Sequence, residues 1–273
     1  MGGTDRLAEP AELHAAFGAR HPVRWGDELP TVAQLVDEYG ADATRLSIST
    51  LQRRLPTEQR TTADFLAAVP DDATAHHLDC RVKSPRSLAR QFQSRLERDK
   101  ADEPKDVLRY TVLCPLPSDL VAAARSTVDQ LLARGWAMDS ARHSYTPGSR
   151  YKGLHADLRT PAGDVVEVQF HSVASATVKE ATTRPYEIER SADASESERA
   201  AAGALCVKLS DTLDVPPGLH ELRTLGGVAV ELKNYSDPRR RTDPAQAQST
   251  STTAERQVHR REDAVRGIDG TGR

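Results

Sequence analysis

From Val165 to His171 the residues sort by parity: Glu167, Gln169 and His171 alternate with Val166, Val168 and Phe170. An extended chain sends successive side chains to opposite faces, so three polar groups share one side and three apolar groups the other. The stretch before it repeats the arrangement, with Tyr151 and His155 on one side and Leu154, Ala156 and Leu158 opposite. Between them, Thr160 to Asp164 contains the Pro161 and Gly163 of a turn, so the two stretches read as a hairpin. A sheet face bearing Tyr, His, Glu and Gln has the chemistry to hold a nucleotide and a metal, and the Tyr151 ring can stack on a base. His155 and His171 lack a second pair at zinc-type spacing.

Two further groups fit that chemistry. Arg81, Lys83, Ser84, Arg86, Ser87 and Arg90 place cations and hydroxyls at a strand end and on the first turns of a helix. Helix N-termini and converging cations suit polyphosphate, whereas a solvated basic face is the plainer reading. Asp106 stands just before a hydrophobic strand, where a lone Asp is ordinarily a turn residue. Its weight comes from Glu167, because two carboxylates from neighbouring strands can hold Mg²⁺, which takes one or two protein carboxylates plus substrate phosphates. The alternative for Glu167 is a merely exposed strand face.

The elements that must position these residues follow from periodicity. Val32, Leu35 and Val36, then Phe65, Leu66 and Val69, mark a helical N-terminal region over 1–75, with Pro30 and Thr31 as a start signal. From His76 the texture becomes strand-like. Helices are expected over Pro85–Lys100, Pro117–Gly135, Ala174–Arg190 and Ser195–Leu213, and strands over Val107–Cys114, Trp136–Ser144 and Gly226–Tyr235. Residues 236–273 carry almost no apolar side chain and are expected to be disordered. The predicted fold is α+β: a mixed, mostly antiparallel sheet flanked by helices, with a helical N-terminal arm, a domain over 76–235 and a polar tail.

Composition bounds the rest. The 273 residues are 38% hydrophobic with net charge −3, enough for one substantial core and without a global pull toward nucleic acid or membrane. Cys80, Cys114 and Cys206 lie far apart and read as buried thiols in a reducing compartment. No stretch has the length and apolarity of a membrane span or a secretory leader, so a cytoplasmic protein is expected.

Taken in order, Arg81-x-Lys83-Ser84-x-x-Ser87, Asp106 before its strand, Tyr151-Lys152-Gly153-Leu154-His155 and Glu167-Val168-Gln169-Phe170-His171 resemble the RelA/SpoT synthetase domain. The resemblance covers about 76–190 and is closest to the shorter stand-alone and toxin-type modules. It implies a nucleotidyltransferase-like fold and an ATP-dependent pyrophosphokinase. Such an enzyme moves the β,γ-pyrophosphate of ATP to the 3′-hydroxyl of a guanosine or adenosine nucleotide, with Mg²⁺ as cofactor. Under it, Arg81, Lys83 and Ser87 grip ATP and Asp106 and Glu167 bind Mg²⁺. Tyr151 stacks on the acceptor, His155 and Gln169 complete that side, and Lys152 and Arg150 meet the acceptor phosphates. Glu167 is also the natural group to accept the hydroxyl proton.

The chain departs from the family pattern at three places. Gln91 stands where the family often has Lys, with Arg90 beside it; Arg109 has no clear counterpart; and His171-Ser172 replaces an Arg-Thr pair. The partners implied are ATP and GTP, GDP or an adenosine nucleotide, with an antitoxin or a second copy of the chain as protein partners. Other readings are a toxin acting on the 3′ end of tRNA and a degenerate, non-catalytic nucleotide-binding module. No metal-dependent hydrolase domain of the family is recognisable.

Overall fold

Residues 7–99, 102–191 and 193–236 are described in this computed structural model. Apart from Ser236, the tail expected to be disordered lies outside the described residues.

The start signal at Thr31 acts as predicted. Its hydroxyl accepts the Gln34 amide at 3.2 Å and the Gln34 side chain accepts the Thr31 amide at 2.8 Å, so both ends of a capping box open helix α2 (Val32–Tyr39). Helices α1 (Pro10–Gly18) and α3 (Ala41–Leu66) flank it. Their apolar residues do not form an arm of their own. Leu13, Phe17, Leu35, Ile48, Leu51 and Phe65 join the same core as Tyr110, Val112, Val168 and Phe170. Phe65 stacks on Tyr110 at 4.5 Å between ring centres.

Seven strands form the sheet: β1 (Thr74–Ala75), β2 (Arg109–Cys114), β3 (Ala137–His143), β4 (Leu154–Arg159), β5 (Val165–Ser172), β6 (Thr224–Leu225) and β7 (Val228–Leu232). Their order is β1-β2-β5-β4-β3-β7-β6. The β2/β5 and β3/β7 pairs run parallel and the other neighbours antiparallel, as the mixed-sheet expectation required. The predicted hairpin is β4–β5, with Arg159 opposite Val165 and His155 opposite Gln169.

Helices α4 (Pro85–Leu96), α5 (Leu120–Ala133), α6 (Val173–Arg190) and α7 (Glu196–Ser210) complete the fold. Leu120, Ala124, Val128 and Leu131 of α5 enter the core with Val166, Val168 and Phe170, while α6 covers the opposite, polar face of β5. None of the described helices is long and apolar enough to cross a membrane.

Three boundaries differ from periodicity for local reasons. After His76 the chain makes a 3-10 turn, Leu78–Cys80, and only Val82 bridges to Leu108, so no strand forms there. Strand β2 begins at Arg109 rather than Val107, leaving Asp106 in the preceding turn. Gly226 and Gly227 have φ of 55° and 86°, so they turn the β6–β7 hairpin instead of entering a strand.

Candidate active site

The alternating face of β5 is where the sheet concentrates its chemistry. Glu167, Gln169 and His171 do fall on one side, but α6 lies over them, so they are 6%, 4% and 0% exposed instead of solvated. Burial makes each polar atom need a partner. Glu167 Oε1 accepts from Arg142 at 2.7 Å and from His155 Nδ1 at 2.9 Å, and its Oε2 accepts from the Gln169 amide at 2.7 Å. Gln169 Oε1 in turn accepts from Lys179 on α6 at 2.8 Å. Arg142 also donates to Asp157, the cross-strand neighbour of Glu167, at 2.7 Å.

Burial works against the Glu167 charge, but His155, Arg142 and Arg109 outweigh it and hold the carboxyl well below the usual carboxylate range. Burial also lowers His155, with Glu167 opposing, and pushes His171 well down. A neutral His155 that donates from Nδ1 to Glu167 must accept at Nε2, which places the Tyr151 hydroxyl proton there at 2.9 Å. Tyr151 Oη then accepts from His171 Nε2 at 2.8 Å, and His171 Nδ1 accepts from Ser175 at 3.0 Å. This assignment of tautomers orders one polar chain from Ser175 to Glu167.

Facing it is the cationic group. Ser84 caps α4 by accepting the Ser87 amide at 3.2 Å. Lys83 precedes that cap and donates to Asp106 Oδ2 at 2.5 Å and to Gln91 Oε1 at 2.6 Å. Its charge lies within reach of both Asp106 and Glu167, although burial is the larger influence and lowers its pKa. Arg109, directly opposite Glu167 in the parallel β2/β5 register, adds a guanidinium. Burial, with Arg109 nearby, pushes Lys179 down to about 8.

The third wall is the loop between β3 and β4. Its backbone is braced from outside: Ser210 donates to Arg150 O at 2.9 Å, Gly148 N donates to Asp211, and the Tyr235 amide donates to Ser149 Oγ at 3.3 Å. Arg150 reaches Glu189 and sits 5.4 Å over the Tyr186 ring, which Arg190 also approaches at 5.3 Å. Tyr151 makes edge contacts with His155, His171 and Tyr235. Gly153 permits this, since a Cβ there would stand 2.6 Å from the Tyr151 hydroxyl.

These walls enclose a cavity of about 690 Å³. Arg24, Lys83, Arg90, Arg109, Arg150, Lys179 and Arg190 line it, against the three carboxylates Asp106, Glu167 and Glu187. Among the predicted site residues, Lys83, Ser87, Arg90, Asp106, Tyr151, His155, Glu167 and Gln169 all line this one space.

Two others do not. Arg81 is 0% exposed, pairs with Glu58 at 2.6 Å and donates to the carbonyls of Phe17, His21, Pro22 and Leu78, so its guanidinium is engaged by the core and does not line the cavity. Lys152 is absent from the cavity lining; it is buried and pairs with Asp211 at 3.0 Å. Cys80, expected to be buried, is part-exposed and lines the cavity, while Cys114 and Cys206 are buried.

The sequence reading missed the α6 contribution. Lys179, Thr182, Thr183, Tyr186, Glu187 and Arg190 all line the cavity, at helical spacings of three and four, which is a periodic polar stripe.

No protein-family model matches the sequence, and a comparison with curated proteins finds no match. Among solved structures, the chain is similar to the Type VI effector Tas1, solved in complex with its immunity protein, at 16% identity over 62% of this chain and 93% of that one, TM-score 0.37. It is similar to the small alarmone synthetase 1 from Bacillus subtilis at 17% identity, over 67% and 93%, TM-score 0.33. A GTP pyrophosphokinase family protein from Streptococcus pneumoniae matches at 18% identity, over 70% and 92%, TM-score 0.33.

Proposed function

We propose that this chain is a RelA/SpoT-like nucleotide pyrophosphokinase, transferring the β,γ-pyrophosphate of ATP to the 3′-hydroxyl of a guanosine or adenosine nucleotide with release of AMP. The observation that carries this reading is that Asp106 and Glu167, from separate elements, line one cavity with Lys83 between their fields and six further cations around it. In-line displacement at phosphorus needs positioning and neutralisation of charge more than a protein nucleophile.

The donor set fits Mg²⁺: two carboxylates offering hard oxygens, in a cavity with room for water and phosphate. Asp106 and Glu167 would hold the ion, and when bound it supplies neutralisation of the phosphate oxygens. Lys83, Ser87 and Arg90, beside the N-terminus of α4, are assigned to the ATP phosphates, and Arg109 and Lys179 to the transferred group between the two carboxylates. A polyanion beside Lys179 favours its protonated form, so substrate and lysine reinforce each other.

Tyr151, fixed by its edge contacts, is assigned to the acceptor base, with His155 and Gln169 orienting Glu167. Glu167 is ionised and weakly basic as held here, so its first role is to accept a hydrogen bond from the acceptor hydroxyl and aim that oxygen at phosphorus. A loose phosphoryl-transfer transition state asks little early deprotonation of the nucleophile.

The test is transfer of γ-label from ATP, with Mg²⁺, to GTP, GDP, ATP or deacylated tRNA in separate reactions. Label on a mononucleotide with stoichiometric AMP supports the proposal; label on tRNA alone moves the acceptor to nucleic acid, and no label anywhere removes the enzymatic reading. Glu167→Gln is expected to lower transfer by at least ~10²–10³-fold, the loss seen when one positioned electrostatic group is removed. Unchanged turnover in that variant takes Glu167 out of the reaction.

A further inference from the structure

Outside the cavity, one group of ionisable side chains has no part in the proposed reaction. Among the described residues, His76, His77 and Glu180 are the group of three or more His, Cys, Asp or Glu whose ligand atoms all lie within 4.8 Å of one another. Two consecutive residues in extended chain point to opposite sides. Here His77 adopts the left-handed conformation, φ 48° and ψ 48°, seldom taken by a residue other than glycine. The turn brings both rings together, with centroids 3.8 Å apart.

The His76 amide donates to Thr111 O at 2.9 Å, which fixes the pair to the edge of β2. From α6, a single oxygen of Glu180 meets both rings: Oε1 lies 2.9 Å from His77 Nε2 and 3.4 Å from His76 Nε2.

We propose that His76, His77 and Glu180 bind one borderline divalent transition metal of the Zn²⁺ class, at a site separate from the carboxylates of the cavity. Ligands held about 2.0–2.2 Å from a tetrahedral ion lie roughly 3.3–3.6 Å from each other, and the two Glu180–histidine spacings, 2.9 and 3.4 Å, are close to that. Imidazole nitrogens select Zn²⁺, Co²⁺ or Ni²⁺ over Mg²⁺ and Ca²⁺, which prefer oxygen. His76 is half-buried while His77 and Glu180 are exposed, so an ion has access and water can complete its coordination.

The site ties together two walls of the cavity. Cys80, Val82, Lys83 and Ser84 follow the histidines along the chain, and Lys179 and Thr182 flank Glu180 on α6. A metal held by residues more than a hundred positions apart in sequence clasps the first wall to the second.

The experiment uses the full, untagged chain, stripped with a chelator and titrated with Co²⁺ and with Zn²⁺ without nucleotide. One equivalent is expected to bind, with visible ligand-field absorption for Co²⁺, a raised melting temperature and no displacement by excess Mg²⁺. His77→Asn, which keeps a residue tolerant of the left-handed backbone, and Glu180→Gln should each lower affinity by more than the ~10–100-fold that loss of an outer-shell partner costs. Both should melt like the parent when metal-free. Absence of stoichiometric binding, displacement by Mg²⁺, or undiminished affinity in either variant overturns the site. Because no substrate is used, this result stands apart from the outcome of the Glu167→Gln assay.

Discussion

Arg81 shows how a side chain can have the right type and spacing and still serve another purpose. All five of its N–H groups are used, one on the Glu58 carboxylate and four on backbone carbonyls. Glu58 continues to Thr62 and then to Tyr110 through hydroxyl contacts of 2.5 and 2.8 Å, so one buried chain joins α3, the 78–81 turn and β2. Removing the arginine strands a buried carboxylate. Arg81→Met is expected to lower unfolding free energy by about 3–5 kcal/mol, measured by urea denaturation. ATP affinity of the remaining folded protein should be unchanged; a selective loss of ATP binding with full stability would return Arg81 to the site. Little near position 81 announces this role, because apart from the Leu78 carbonyl its partners come from 17–22 and 58. Glu167, Gln169 and His155, by contrast, were legible because strand parity is a local property. Gly153 belongs with them: Gly153→Ala forces the Tyr151 hydroxyl to move, and an acceptor KM raised by up to about 10²-fold is expected at nearly unchanged melting temperature.

At the scale of elements, the β4–β5 hairpin, α4 and α5 were legible from period and punctuation. The N-terminal helices were legible as helices but not in their placement, since amphipathicity states which face is buried and not against what. The observed packing makes α1 and α2 structural walls: they contribute Leu13, Phe17 and Leu35 to the core, and the Phe17 carbonyl accepts from Arg81. Deleting residues 1–40 is therefore expected to abolish cooperative thermal unfolding, followed by near-UV circular dichroism. A truncated chain melting as sharply and as high as the parent would restore the arm. The α6 stripe was open to the same periodic reading that found the hydrophobic faces. It was overlooked because polar residues at helical spacing are read by default as the solvent side, and only the polar sheet face beneath reverses that default.

For the molecule as a whole, a net charge of −3 conceals a cavity lined by more than twice as many cations as carboxylates. Composition excludes a global field and says nothing about a local one. Titration links the interior to stability as well. His143 and His171 are both lowered, chiefly by burial, with neighbouring positive groups adding to it. The folded chain then binds fewer protons than the unfolded chain below about pH 6.5, where an ordinary histidine titrates. Their contribution to stability is complete above that pH and is lost as pH falls below it, by up to roughly 2.7 kcal/mol per pH unit for two protons. Denaturation midpoints measured from pH 8 to 5 should fall on the acid side, less steeply for His171→Asn. A flat profile would mean that both imidazoles charge freely in the native state.

The segment leaving β7 has a consequence for how the molecule can be joined to anything else. The Lys233 amide donates to His143 O at 2.9 Å and the Tyr235 ring abuts Tyr151, so the polypeptide departs beside the rim of the cavity. A tag or carrier joined directly after Tyr235 would therefore begin beside the Tyr151 ring.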